Sequence, residues 1–143
     1  MAYSTYEDVK SEFKGVDFGS STPVTSTEVT GFIVQADALI DSLVSKRYET
    51  PITGSISLSI IKLISIWLVA DRVSKILQVK TTKEETKTAD KSLYDKAMAM
   101  LKAIIAGDLV LTDATVVSSG NGWASYANSN SLENEFKKGE PQW

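Results

Sequence analysis

The sequence predicts an all-α protein: a four-helix bundle followed by an extended C-terminal arm. Three observations point there. Residues 26–48 repeat apolar side chains at three- and four-residue steps, the period of one helix face. Residues 57–79 are apolar nearly all round, as in a helix enclosed by its neighbours. Residues 113–143 lose sustained periodicity and become rich in Gly, Ser and Asn, the composition of an arm.

The first helix is expected over about 5–14. Ser4-Thr5-Tyr6-Glu7 reads as a capping box, with the Ser4 hydroxyl on an orphan amide and Glu7 reaching back. Tyr6, Val9 and Phe13 follow at helical spacing, and Gly15 is placed to stop the helix. Val16 to Val24 reads as a loop closed by Pro23. Thr25-Ser26-Thr27-Glu28 is a second start signal, opening a helix over 26–48 that ends near Tyr48, before Pro51. Val29, Phe32, Ile33, Ala36, Ile40, Leu43 and Val44 form its apolar side, and Asp37, Asp41, Ser42 and Ser45 its other side.

The third helix, 57–79, holds Leu58, Ile61, Ile64, Trp67, Leu68, Val73 and Ile76. Its β-branched content leaves a strand reading open for 56–66, but its length and lack of turn residues favour helix. Such a segment is central in a bundle or buried again in an oligomer. Lys80 to Lys91 is highly charged and reads as a loop or frayed helix end. A fourth helix fits 89–106, with Gly107 where a left-handed stop belongs. The bundle therefore spans 1–112, and 113–143 is an arm that orders on assembly. The expected core is Tyr6, Phe13, Phe32, Ile33, Ile40, Leu43, Leu63, Trp67, Leu101 and Ile104.

Composition narrows the function. The chain has 143 residues, 15 Lys+Arg against 18 Asp+Glu, a net charge of −3, and neither Cys nor His. That length suits one domain. Without Cys or His there is no thiol nucleophile, imidazole base, disulfide or Cys/His zinc site. Chemistry would fall to carboxylates, lysines, tyrosines or a borrowed cofactor. The acidic balance argues against nonspecific nucleic-acid binding, which needs a basic face to displace counterions. Met1 to Lys10 lacks the pattern of a signal peptide, and the charge-free run Leu63–Ala70 is too short to cross a bilayer. The expectation is a soluble, non-enzymatic protein with no cofactor, no metal and no membrane contact.

Three groups of residues stand out. Asp37 and Asp41 sit four apart and could hold a divalent ion with added oxygens, although a solvated helix face is the ordinary reading. Asp71-Arg72 interrupts the apolar third helix, as a subunit contact or as positions turned to water. The arm carries Trp123, Tyr126, Leu132, Phe136 and Trp143, large anchors of the kind that fill a partner's pockets. Folding back onto the bundle is the alternative for Trp123 and Tyr126. On the arm reading, deleting 113–143 leaves a folded helical protein that has lost its partner.

The order of these features resembles a known family. Tyr6-Glu7-Asp8-Val9 and Phe13 are followed by Gln35-Ala36-Asp37-Ala38-Leu39-Ile40-Asp41-Ser42-Leu43, then by Lys46-Arg47-Tyr48 and Pro51. After the helix with Trp67-Leu68-Val69-Ala70 come Tyr94-Asp95-Lys96-Ala97, Met100-Leu101, Ile104 and Gly107-Asp108-Leu109-Val110-Leu111. Over about residues 4–112 this is similar to the head–tail connector, or adaptor, proteins of long-tailed bacteriophages. The resemblance implies a homo-oligomeric, twelve-fold ring of helical bundles between portal and tail, in the virion neck. It implies docking on the portal protein through the C-terminal arm and contact with a tail-side connector or terminator protein. DNA would pass through the ring without specific binding, and the protein would reside in host cytoplasm during assembly. An alternative from another class is a small helical regulatory or adaptor module that binds a host or viral protein through the same arm.

Overall fold

The computed structural model describes residues 1–81 and 92–117. Among them lie four helices and no β-strand: α1 (Tyr6–Glu12), α2 (Ser26–Val44), α3 (Ser55–Thr81) and α4 (Leu93–Ala106). The all-α expectation is met, and residues 56–66 are helix rather than strand.

α1 begins one residue later than its sequence suggests. Thr5, not Ser4, is the N-cap: its hydroxyl accepts from the Asp8 amide at 3.3 Å, and the Asp8 carboxylate accepts from the Thr5 amide at 2.8 Å. Ser4 is unavailable because its hydroxyl is buried against that of Ser65, 2.9 Å away. Gly15, just past the helix, takes φ +82°. α2 opens where expected, with Thr25 and Glu28 exchanging the two bonds of a capping box. It ends at Val44, short of Tyr48. Residues 45–47 form a turn, and Tyr48 forms an antiparallel bridge with Val116 instead. The Glu49 amide donates to the Thr115 carbonyl at 2.8 Å and the Val117 amide to the Arg47 carbonyl at 2.9 Å. Long-range pairing has displaced the last helical turn.

α3 packs against α1, α2 and α4 and is the centre of the bundle. Ile61, Ile64, Leu68 and Val73 are its buried line, spaced by three, four and five residues. Leu63, expected in the core, is instead 39% exposed. It lies two residues from Ile61, about 200° round the helix and away from the buried line. α4 starts at Leu93, capped by the Ser92 hydroxyl on the Asp95 amide at 3.2 Å; residues 89–91 of the expected helix lie outside the described residues. Gly107 closes it in the left-handed conformation, φ +93°, with its amide on the Ala103 carbonyl.

Ile33, Ile40, Leu101 and Ile104 are buried as predicted, while Tyr6, Phe13, Phe32, Leu43 and Trp67 are partly buried against the core. Fully burying each aliphatic side chain contributes about 1.5–3 kcal/mol. The core also takes Phe18 and Val24 from the segment read as loop, together with Tyr3, Tyr48, Ile52 and Leu111. Phe18 meets Phe13 edge-on at 5.6 Å and Tyr6 at 6.2 Å. Those two contacts close the 16–24 segment over α1.

Candidate functional site

Three sets of polar or exposed groups stand out on the bundle. The first is buried. Asp37 on α2 is 6% exposed, not on a solvated face, and is joined to the N-terminal segment and α3. The Tyr3 amide donates to one of its oxygens at 2.9 Å and the Ser65 hydroxyl to the other at 2.8 Å. The Tyr3 hydroxyl donates to Asp41 and accepts from the Ile52 amide at 3.0 Å. Desolvation raises the Asp37 pKa above the usual carboxylate value, although both hydrogen bonds pull the other way. The Tyr3 hydroxyl is likewise raised, first by burial and then by its bond to Asp41. This node ties residues 3–4 to α2, α3 and the loop before α3. Tyr3 carried no signal beyond being an aromatic ahead of a cap.

The second set lies where the chain returns to the bundle after α4. Asp113 accepts from the amides of Ile56 and Ser57, each at 2.8 Å, and from the Ser57 hydroxyl. It caps α3 from 57 positions away. The Ser57 hydroxyl bond, above all, lowers the Asp113 pKa. Gly54 is required beside it, since a Cβ there would overlap the Asp113 side chain. The Tyr48 hydroxyl accepts from the Leu111 amide at 3.2 Å. These bonds carry the described bundle on through Val117, beyond the boundary expected at 112. Ile56, Val110, Val116 and Val117 remain between 40% and 62% exposed around this end.

The third set is a groove of about 280 Å³ between α2, α3 and α4, with Phe32, Leu39, Leu68 and Tyr94 as its large apolar lining and Asp71, Arg72 and Lys75 along its edge. Here Asp71 and Arg72 part company. Asp71 is 8% exposed and pairs with Lys75 one turn on, at 2.5 Å. Arg72 is exposed; its guanidinium lies 4.1 Å over the Phe32 ring and donates to the Gln35 side chain. Lys75 also approaches the Tyr94 ring, at 5.7 Å. The result is an apolar floor edged by the Asp71–Lys75 pair and by Arg72, suited to an apolar ligand with a carboxylate toward Arg72.

Trp123, Tyr126, Leu132, Phe136 and Trp143 lie outside the described residues. Among those that are described, no helix is long and apolar enough to cross a membrane. Nor does any group of three or more His, Cys, Asp or Glu side chains stand ready to hold a metal ion.

The described residues define a small all-α helical bundle with an exposed groove. Its kinship is more particular: the family model described as Bacteriophage Mu, Gp36 matches residues 3–123, and the chain belongs to that phage family. No curated protein and no solved structure matches it. The matched span runs from the Tyr3 node through the bundle to Trp123.

Proposed function

We propose that the chain is a structural, non-enzymatic component of the phage neck, a head–tail connector that forms a ring between portal and tail. The observation that carries this reading is membership of a phage family across the whole bundle. The surface supports it. One end of the bundle leaves Ile56, Val110, Val116 and Val117 exposed, and the opposite part of α2–α4 leaves a cation-edged groove. Two different patches on one bundle permit heterologous contacts, which generate closed rings when the rotation per subunit divides the circle.

In this reading the arm, with Trp123, Tyr126, Leu132, Phe136 and Trp143, reaches the portal, and the ring continues the DNA passage without gripping the nucleic acid. A net charge of −3 is compatible with passage, because there is no excess of cations to bind phosphate. Twelve-fold symmetry and a tail-side connector or terminator partner belong to the same proposal. The chain works by contact, with no cofactor and no catalysis.

Electron microscopy of the full-length chain mixed with portal particles of its phage tests this. The expected result is an added ring of density beneath the portal. A chain that stays unbound, or that binds a host protein as a monomer or dimer, overturns the connector reading in favour of a regulatory adaptor.

A further inference from the structure

We propose that, in the unassembled chain, the α2–α3–α4 groove is occupied by residues 132–136 of the same chain. Such occupancy goes beyond the connector reading and does not depend on it.

The groove asks for an apolar ligand flanked by acids. Phe32, Leu39, Leu68 and Tyr94 supply its apolar surface, Tyr94 being 43% and Leu39 37% exposed. Arg72 lies over the Phe32 ring and uses one of its five donors on Gln35. Among the described residues no carboxylate pairs with Arg72. Its remaining donors present the forked geometry that a carboxylate matches.

The sequence after the bundle holds one segment of that chemistry. From Ala114 to Ser131 there is no charged residue; then comes Leu132-Glu133-Asn134-Glu135-Phe136, two large apolar residues four apart with two carboxylates between them. On a helical turn, Leu132 and Phe136 would share one face. Trp123 and Tyr126 are apolar as well, but they have no acid within six residues. Trp143 has Glu140 three residues before it, but it is a lone apolar residue; 132–136 sets two apolar side chains on either side of its acids, and so offers both a floor contact and a carboxylate.

Reach permits it. The described chain leaves the bundle at Val117, beside Arg47 and just past the end of α2 at Val44. Gln35 is nine residues back along α2, about 14 Å at 1.5 Å per residue. Residues 118–131 can span up to about 48 Å. A segment tethered this way meets its own groove at an effective concentration of about a millimolar. Even a millimolar site is then filled roughly half the time, well ahead of a second copy at micromolar concentration.

Since the chain has no cysteine, a Ser131→Cys substitution gives a single attachment point for a nitroxide on the full-length protein. The expected result is paramagnetic broadening of the Gln35, Leu39, Arg72 and Tyr94 amides. It is unchanged on dilution and absent when labelled chains are mixed with isotope-enriched unlabelled ones. Arg72→Glu, and separately Leu132→Ser with Phe136→Ser, should abolish the broadening while helical content is kept. Absence of broadening, broadening confined to another surface, or broadening seen only between chains overturns the proposal. Failure of this test leaves portal binding of the chain to be judged by microscopy alone.

Discussion

A buried carboxylate is an unusual choice for the inner side of a helix, and Asp37 shows what it costs. Its charge is stripped of water and held by two donors from different parts of the chain. Because its folded pKa is raised above the ordinary 3.8, the folded state holds the proton longer than the unfolded chain does. The contribution of Asp37 is therefore fully present below about pH 3.8 and is lost as pH rises through the raised folded value. Asp37→Asn keeps an acceptor for the Tyr3 amide and can donate to the Ser65 oxygen, so the node survives without the charge. The stability of the wild type relative to this variant should fall between about pH 4 and neutrality. Urea midpoints of both proteins measured across that range check it, and a parallel pair of curves would contradict the assignment. Gly107 is a second single-residue constraint. Its φ of +93° disfavours any side chain, and a Cβ would overlap the Arg47 guanidinium. Gly107→Ala should cost about 1–3 kcal/mol in urea unfolding with the slope of the transition unchanged.

The helices divide into those whose ends are set locally and those whose ends are set from afar. The start of α2 was legible because Thr25 and Glu28 lie three residues apart and settle the cap between themselves. Gly107 ended α4 for an equally local reason. The end of α2 is not legible: Val44 and Tyr48 keep the four-residue apolar spacing of the helix, and only the return of residues 115–117 pulls Tyr48 away. The α1 cap falls one residue later than the local pattern places it, since the partner that removes Ser4 is Ser65, on another helix. The same distance hid the Tyr3–Asp37 node and the Asp113 cap, and with them most of what fixes the ends of the bundle. Within α3 the apolar pattern overstates the core, because nearly every position is apolar and periodicity then carries no direction. Ile64→Ala should cost about 2–4 kcal/mol, since Ile64 is fully buried, whereas Leu63→Ala should cost less than about 1 kcal/mol. Equal costs from chemical denaturation would mean that α3 is enclosed on both sides in solution, as a ring neighbour would enclose it.

At the scale of the molecule the decisive question is where the bundle stops. Composition put the change at residue 113, and an arm detached from there would leave a complete fold behind. The hydrogen bonds place the next five residues with the bundle: Asp113 caps α3, Thr115 accepts from Glu49, and Val117 donates to Arg47. Removing 113–143 therefore strips orphan amides of their partners at the start of α3 as well as removing the arm. Cutting after Val117 does not. Three chains follow from this: the full length, residues 1–117 and residues 1–112. The unfolding temperature of 1–117 should lie within about 2 °C of the full-length value, whereas 1–112 should melt roughly 5–10 °C lower, the loss of several backbone partners at once. Calorimetry or circular dichroism reads both. If 1–117 melts as early as 1–112, then residues 118–143 hold the bundle together, and the arm is not a separate contact element. If 1–117 keeps its stability but no longer joins the portal, folding and assembly are carried by adjacent stretches of one chain, with the boundary at Val117. The Asp113 cap would then give that boundary its physical reason: the last residues of the fold hold the start of its central helix, and the contacts offered to the portal begin after them.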